Sequence, residues 1–216
     1  MKEPTAIHWH GMELDSYYDG VAGWGGTGQQ TSPPIAPGTT FVAKIAPLRA
    51  GSFIYHTHWH EPGQLTNGLY GPLLVMPPGQ EFDPATDLNF LFSRGTFEPL
   101  GNLFLINGHP QPLVMPLMTE VKYRFRLTNI ATNDVNLRVA LRKGGAPVQW
   151  RVIAKDGADV PPTAAILKQA DQFITVGETW DFEYQTSEPQ ELALEIYNPG
   201  AASKLRATQG ILFTAP

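Results

Sequence analysis

Residues 121–129 read Val-Lys-Tyr-Arg-Phe-Arg-Leu-Thr-Asn. Apolar and polar side chains alternate one for one, and successive side chains of a strand point to opposite faces, so this period of two predicts a β-strand. Working outward, similar runs recur throughout the chain. Strand candidates occupy residues 5–10, 41–45, 51–60, 71–76, 88–93, 103–106, 135–142, 149–155, 172–176, 179–185, 192–197 and 210–214. The chain carries 21 glycines and 20 prolines, which punctuate these runs and disfavour long helices. No convincing helical period appears. Many short strands at regular spacing predict an all-β chain built as a sandwich or barrel.

At 216 residues with 42% apolar and 16% charged content, the chain is long enough to bury a sizeable core. Composition falls away between residues 77 and 101, where one apolar run is followed by loop-like residues. The expected organisation is a first domain over 1–80, a linker over 81–101 and a second domain over 102–216. A formal charge of −5 and a pI near 5.6 give no basic footprint, so nucleic acid is not an expected partner. No apolar run approaches the ~20 residues that span a bilayer, so no membrane partner is expected. The N-terminus lacks the apolar stretch of a signal peptide and enters a strand-like segment almost at once, as if the first domain were truncated at its N-terminal end. There is no cysteine. Disulfides, thiolate nucleophiles and Cys-ligated zinc, iron–sulfur or blue-copper sites within these residues are therefore excluded.

Five of the six histidines fall in two short strings, His8-Trp-His10 and His56-Thr-His58-Trp-His60. On a strand, residues i and i+2 share a face about 6.5–7 Å apart, close enough for two imidazoles to converge on one ion or on neighbouring ions. His56 and His60 are roughly 13 Å apart on a straight strand, so His60 joins only if the chain bends at Glu61-Pro62-Gly63. Imidazole-only donors suit copper, zinc, iron or nickel, and spacing alone does not choose among them. Asp19, before a glycine, and Glu61, beside His60, are the acids that stand nearest these strings. His109 belongs to no pair and follows Asn-Gly in an expected turn, so it is read as structural or surface.

The strings themselves resemble a known family. IHWHG at 7–11, a DG loop at 19–20, SPPIAPG at 32–38, GSFIYHTH at 51–58 and GLYGPLLV at 68–75 are similar to the first cupredoxin domain of multicopper oxidases, which include laccases. INGHPQP, YRFRLTNIA, VIAKDGADV and VGETWDFEY follow in the order seen in the middle domain of three-domain members. The resemblance implies two cupredoxin-like Greek-key β-sandwich or barrel domains. It further implies that His8 binds a type 2 copper, that His10, His56 and His58 bind a type 3 pair, and that Asp19 assists proton delivery. The family's earliest strands, its third domain with four further cluster histidines, and its type 1 cysteine have no counterpart here. Family members are usually periplasmic or extracellular.

Three functions follow as expectations. The leading one is metal-dependent hydrolysis of an ester or phosphoester small-molecule substrate by copper or zinc, because bound water near pKa ~7 supplies hydroxide and the type 1 site is absent. Glu61 or Asp19 would act as base. The alternative is a laccase-type copper oxidoreductase completed by another chain or by oligomerisation. The third is a passive metal-binding fragment. An unpaired sheet edge favours a homo-oligomer, with metal sites shared between chains.

Overall fold

The computed structural model describes residues 2–97, 101–132, 136–199 and 204–216, so Val135, at the head of one predicted strand, lies outside the described residues. The first domain is built on β1 (Ile7–His10), β4 (Gly51–Thr57) and β5 (Tyr70–Val75), an antiparallel sheet in the order β1-β4-β5. A small ribbon of β2 (Gly26–Thr27) and β3 (Gln30–Thr31) lies between β1 and β4 in sequence. A short helix, α1 (Glu61–Thr66), follows β4, with an acid and a proline in its first turn, positions that suit a helix start.

The second domain begins with β6 (Asp87–Phe97), β7 (Gly101–Ile106), β8 (Met115–Met118) and β9 (Tyr123–Asn129). β10 (Asn136–Lys143), β11 (Ala146–Pro147), β12 (Gln149–Lys155) and β13 (Ala158–Asp159) come next. β14 (Leu167–Gln169), β15 (Asp171–Thr175), β16 (Thr179–Tyr184), β17 (Gln190–Asn198) and β18 (Lys204–Thr214) complete it. One sheet runs β11-β10-β17-β18-β8 with β15 beside β10, and the other β13-β12-β16-β9-β6-β7 with β14 beside β12. Their inner faces share one apolar core that includes Phe90, Phe125, Leu127, Trp150 and Phe182 from one sheet and Leu141, Leu194 and Phe213 from the other. The Trp150 and Phe182 rings stack at 3.9 Å between centroids. The all-β prediction is borne out.

Three local expectations differ. The stretch expected as a linker, 81–101, contains the 11-residue strand β6, which pairs with β7 and β9 inside the second domain. Its apolar residues Leu88, Phe90 and Phe92 are buried in that core, so the connection between the domains narrows to residues 76–86. Residues 41–45 keep alternating burial but form no ladder, because β1, β4 and β5 alone make up that sheet among the described residues. The run predicted to be strand over 51–60 stops at Thr57, after which His60 takes a left-handed φ of 45° and the chain turns into α1.

β9 explains how the domains are joined. Its apolar face, Tyr123, Phe125 and Leu127, faces the sandwich core, as the alternation requires. Most of its polar face is withdrawn from solvent: Arg124 is half-buried, while Arg126 is 4% exposed and Thr128 2%. Arg126 donates to Asp181 on β16 at 2.9 Å, to Ser52 Oγ on β4 at 3.0 Å and to Asp87 at 2.9 Å. Ser52 donates in turn to Asp181 at 2.9 Å, and Thr179 Oγ1 donates to the Ser52 carbonyl at 2.9 Å. Arg124 adds a second guanidinium on Asp181. A buried charge is tolerated only when it is paired and its hydrogen bonds are satisfied, and here each partner supplies the others. Asp181→Ala leaves Arg126 buried beside a single remaining carboxylate, with an expected loss of about 3–5 kcal/mol in urea unfolding. A loss below about 1 kcal/mol would mean that the network does not couple the domains.

Candidate metal centre

β1 and β4 pair with His8 directly opposite His56 and His10 opposite Ile54. Directly opposed residues of an antiparallel pair project to the same side, and so do alternate residues along each strand. His8, His10 and His56 therefore share one face, while Trp9 and Tyr55 meet on the other at 6.5 Å between ring centroids. The His8 ring lies 5.5 Å from His10 and 5.3 Å from His56, and His10 lies 5.6 Å from His56. One nitrogen from each of the three falls within 4.8 Å of the others.

Hydrogen bonds decide which nitrogens are free. His8 Nδ1 lies 2.9 Å from the Asp19 carbonyl and His56 Nδ1 lies 2.8 Å from the Thr57 carbonyl. A carbonyl only accepts, so both rings carry their proton on Nδ1 and direct an Nε2 lone pair inward. Asp19 also brings its carboxylate to 3.1 Å from His8 Nδ1. The loop that carries Asp19 presses on β1 so closely that a Cβ at Gly20 would lie 1.7 Å from the Ile7 carbonyl oxygen, which is why glycine follows the aspartate. His10 turns the other way, with Nδ1 3.5 Å from His56 Nε2. Burial lowers the pKa of His10 below the usual imidazole range, and the neighbouring His8 adds to the shift. Burial lowers His56 as well, opposed by its bond to the Thr57 carbonyl and reinforced by His8 and His10. Both shifts favour the neutral ring, the form that ligates a metal. Imidazole nitrogens with inward lone pairs and no thiolate form a donor set that fits copper.

The other predicted residues separate. His58 stands just past β4, exposed, with its ring 5.6 Å from His8 and 6.4 Å from His56. Its Nε2 is 3.7 Å from Glu61 on α1, so both line the rim of the same cleft of about 350 Å³. His60 does not join: its ring points to Glu3, with Nδ1 3.1 Å from Oε2, and 62% of the side chain is exposed. The bend considered at Glu61-Pro62-Gly63 becomes α1, which carries Glu61 toward the cluster and leaves His60 outside it. His109 is exposed and closes the Asn107-Gly108 hairpin turn opposite Ile106, a structural position as expected.

Sequence reasoning missed the second domain's share of the cleft. Ile130, Thr132, Val176 and Gly177 line its far wall. None of them is a metal-ligand type, and they lie 70 or more residues beyond the histidine strings, so spacing carried no signal for them.

Comparison with known proteins agrees with this arrangement. Residues 1–80 match the family model described as multicopper oxidase. Laccase-1 of Botryotinia fuckeliana is 40% identical over 153 residues, covering 60% of this chain and 26% of that protein. Dihydrogeodin oxidase of Aspergillus terreus is 31% identical over 121 residues, covering 48% of this chain and 19% of that protein. The chain spans about a quarter or less of the length of these relatives. A multicopper oxidase structure from Pseudomonas thermotolerans superposes on all of this chain and 52% of its own, with a TM-score of 0.74 and 27% identity. A blue copper oxidase from Nitrosomonas europaea shares the fold at a TM-score of 0.76 over 99% of this chain and 70% of its own, with 22% identity. These relatives are oxidases and laccases, and neither hydrolysis nor zinc finds support among them, which corrects the leading functional expectation. Residues 1–80 thus match the multicopper oxidase family, and the whole chain shares the cupredoxin-like architecture of solved multicopper oxidases.

Proposed function

We propose that the chain contributes one half of a copper cluster in a laccase-type oxidoreductase, with the remaining ligands supplied by another polypeptide segment and the electron-entry copper by a segment that carries a cysteine. The observation that carries this reading is the convergence of one ring nitrogen each from His8, His10 and His56, with the Nδ1 atoms of His8 and His56 tied to backbone carbonyls. Copper held by such a set supplies one-electron redox chemistry. The protein's own part is orientation and protonation. Asp19 keeps His8 in the tautomer whose Nε2 is free, and its carboxylate stands beside His8 Nδ1 as a proton holder. Glu61 occupies the corresponding place beside His58 at the rim of the cleft. With no cysteine among its 216 residues, the chain makes no Cys-ligated copper site of its own, so the small-molecule reductant is oxidised elsewhere in the complete assembly.

Copper titration followed by elemental analysis and paramagnetic resonance tests the ligand set. His56→Ala is expected to weaken copper binding by at least about tenfold, since a directly bound nitrogen is lost. His60→Ala, which removes only the exposed pair with Glu3, should bind copper as the unaltered protein does. Equal losses in both variants would place the metal somewhere else.

The choice of reaction has its own assay. Oxidation of a phenolic dye should be absent from the copper-loaded chain at every oligomeric mass and should appear only when a cysteine-bearing segment completes the site. Activated ester and phosphate ester hydrolysis should stay at the free-metal background with copper or zinc. Hydrolysis that depends on Glu61 would overturn the redox reading.

A further inference from the structure

His10 has little around it to fix its ring. It borders the cleft of about 350 Å³ on the cluster side and also a second cleft of about 300 Å³ lined by Ser52, Phe53, Asp156 and Glu178. A side chain with open space on two sides is not held by general packing. Besides His8 and His56, it faces the backbone of Gly177 from the other domain. A Cβ at Gly177 would lie 2.9 Å from His10 Nε2 and 3.0 Å from Cε1, closer than such atoms approach.

The turn that carries Gly177 is itself anchored. The Gly177 amide donates to the Asn129 carbonyl at 2.8 Å, and the Asn129 side chain donates to the Ile174 carbonyl at 3.1 Å. Two residues on, Thr179 donates to the Ser52 carbonyl on β4, the strand that carries His56. The glycine therefore stands at a fixed distance from the ligand face of the first domain.

From this contact we infer that Gly177 is a positioning residue for the copper site: its bare backbone is the stop against which the His10 ring rests, directing Nδ1 at the cluster and blocking Nε2. The inference rests on the reading of His10 as a copper ligand. The second domain accordingly takes part in building the metal site while contributing no ligand to it. Any side chain at 177 pushes the ring off its stop, toward His56 or into the second cleft.

The test pairs two glycine variants of the whole chain. Gly177 has φ +88° and Gly145 has φ +87°, but a Cβ at Gly145 meets nothing within 4 Å. Gly177→Ala and Gly145→Ala thus carry equal backbone strain and differ in the contact with His10. Copper affinity should fall about 10- to 100-fold in Gly177→Ala and stay unchanged in Gly145→Ala, with similar losses of stability in both. In the metal-free chain, the His10 ring proton resonances should move in Gly177→Ala alone. In the unaltered protein, nuclear Overhauser contacts should join the Gly177 α-protons to His10 Hε1, a measurement that survives if the variant does not fold. Missing contacts, unmoved resonances or unchanged copper affinity in Gly177→Ala would overturn the inference. If the unaltered chain binds no copper while the contacts and shifts are present, the copper reading fails and the positioning contact stands.

Discussion

Arg126 is the side chain on which the arrangement of the two domains depends. A guanidinium with 5% exposure has to find its acceptors inside the protein, and it finds them on Asp181, Asp87 and Ser52. Ser52 belongs to the histidine-bearing sheet and Asp181 to the sandwich, so satisfying one buried charge also sets how the two lie against each other. Replacing such a group with an apolar one of similar shape is often neutral, whereas removing one partner is costly, so the constraint lies in the mutual pairing more than in any single bond.

The metal site inherits that geometry. Ser52 precedes His56 by four positions on β4, and Asp181 follows Gly177 by four at the start of β16. Joining Ser52 to Asp181 and Thr179 therefore brings the Gly177 turn to the His10 ring. Arg49 supports the same junction, donating to the Gly11 carbonyl just after β1 and to the Asp156 carbonyl of the sandwich. The small apolar cluster of Ile54, Leu65, Leu91 and Ile130 lies across it as well. Among the described residues the histidine sheet has three strands, and Ser52 and Ile54 of β4 are tied or packed against the neighbouring domain.

Much of this was legible in the sequence. The period-two runs located most strands to within a few residues, because side-chain alternation is a local property of extended backbone. Residues 149–155 and 179–184 are strands as read, with one residue's difference at the end of the latter. The histidine spacing gave three imidazoles that converge and a fourth at the rim, since i and i+2 on paired strands share a face whatever the rest of the fold does. Residues 41–45 misled because alternation reports burial, and a ladder also needs a neighbouring strand. His60 misled because a left-handed turn at that residue interrupts the strand period.

What the sequence determined by itself was the class of fold, the donor chemistry and the absence of any thiolate ligand, all of which follow from residue type and local spacing. Tertiary structure alone decided the tautomers of His8 and His56, the separation of His60 from the cluster, the burial of the polar face of β9, and the contact between Gly177 and His10. Each of these depends on which backbone or charge comes within about 3 Å of a side chain from far along the chain, a distance that pattern and propensity do not encode.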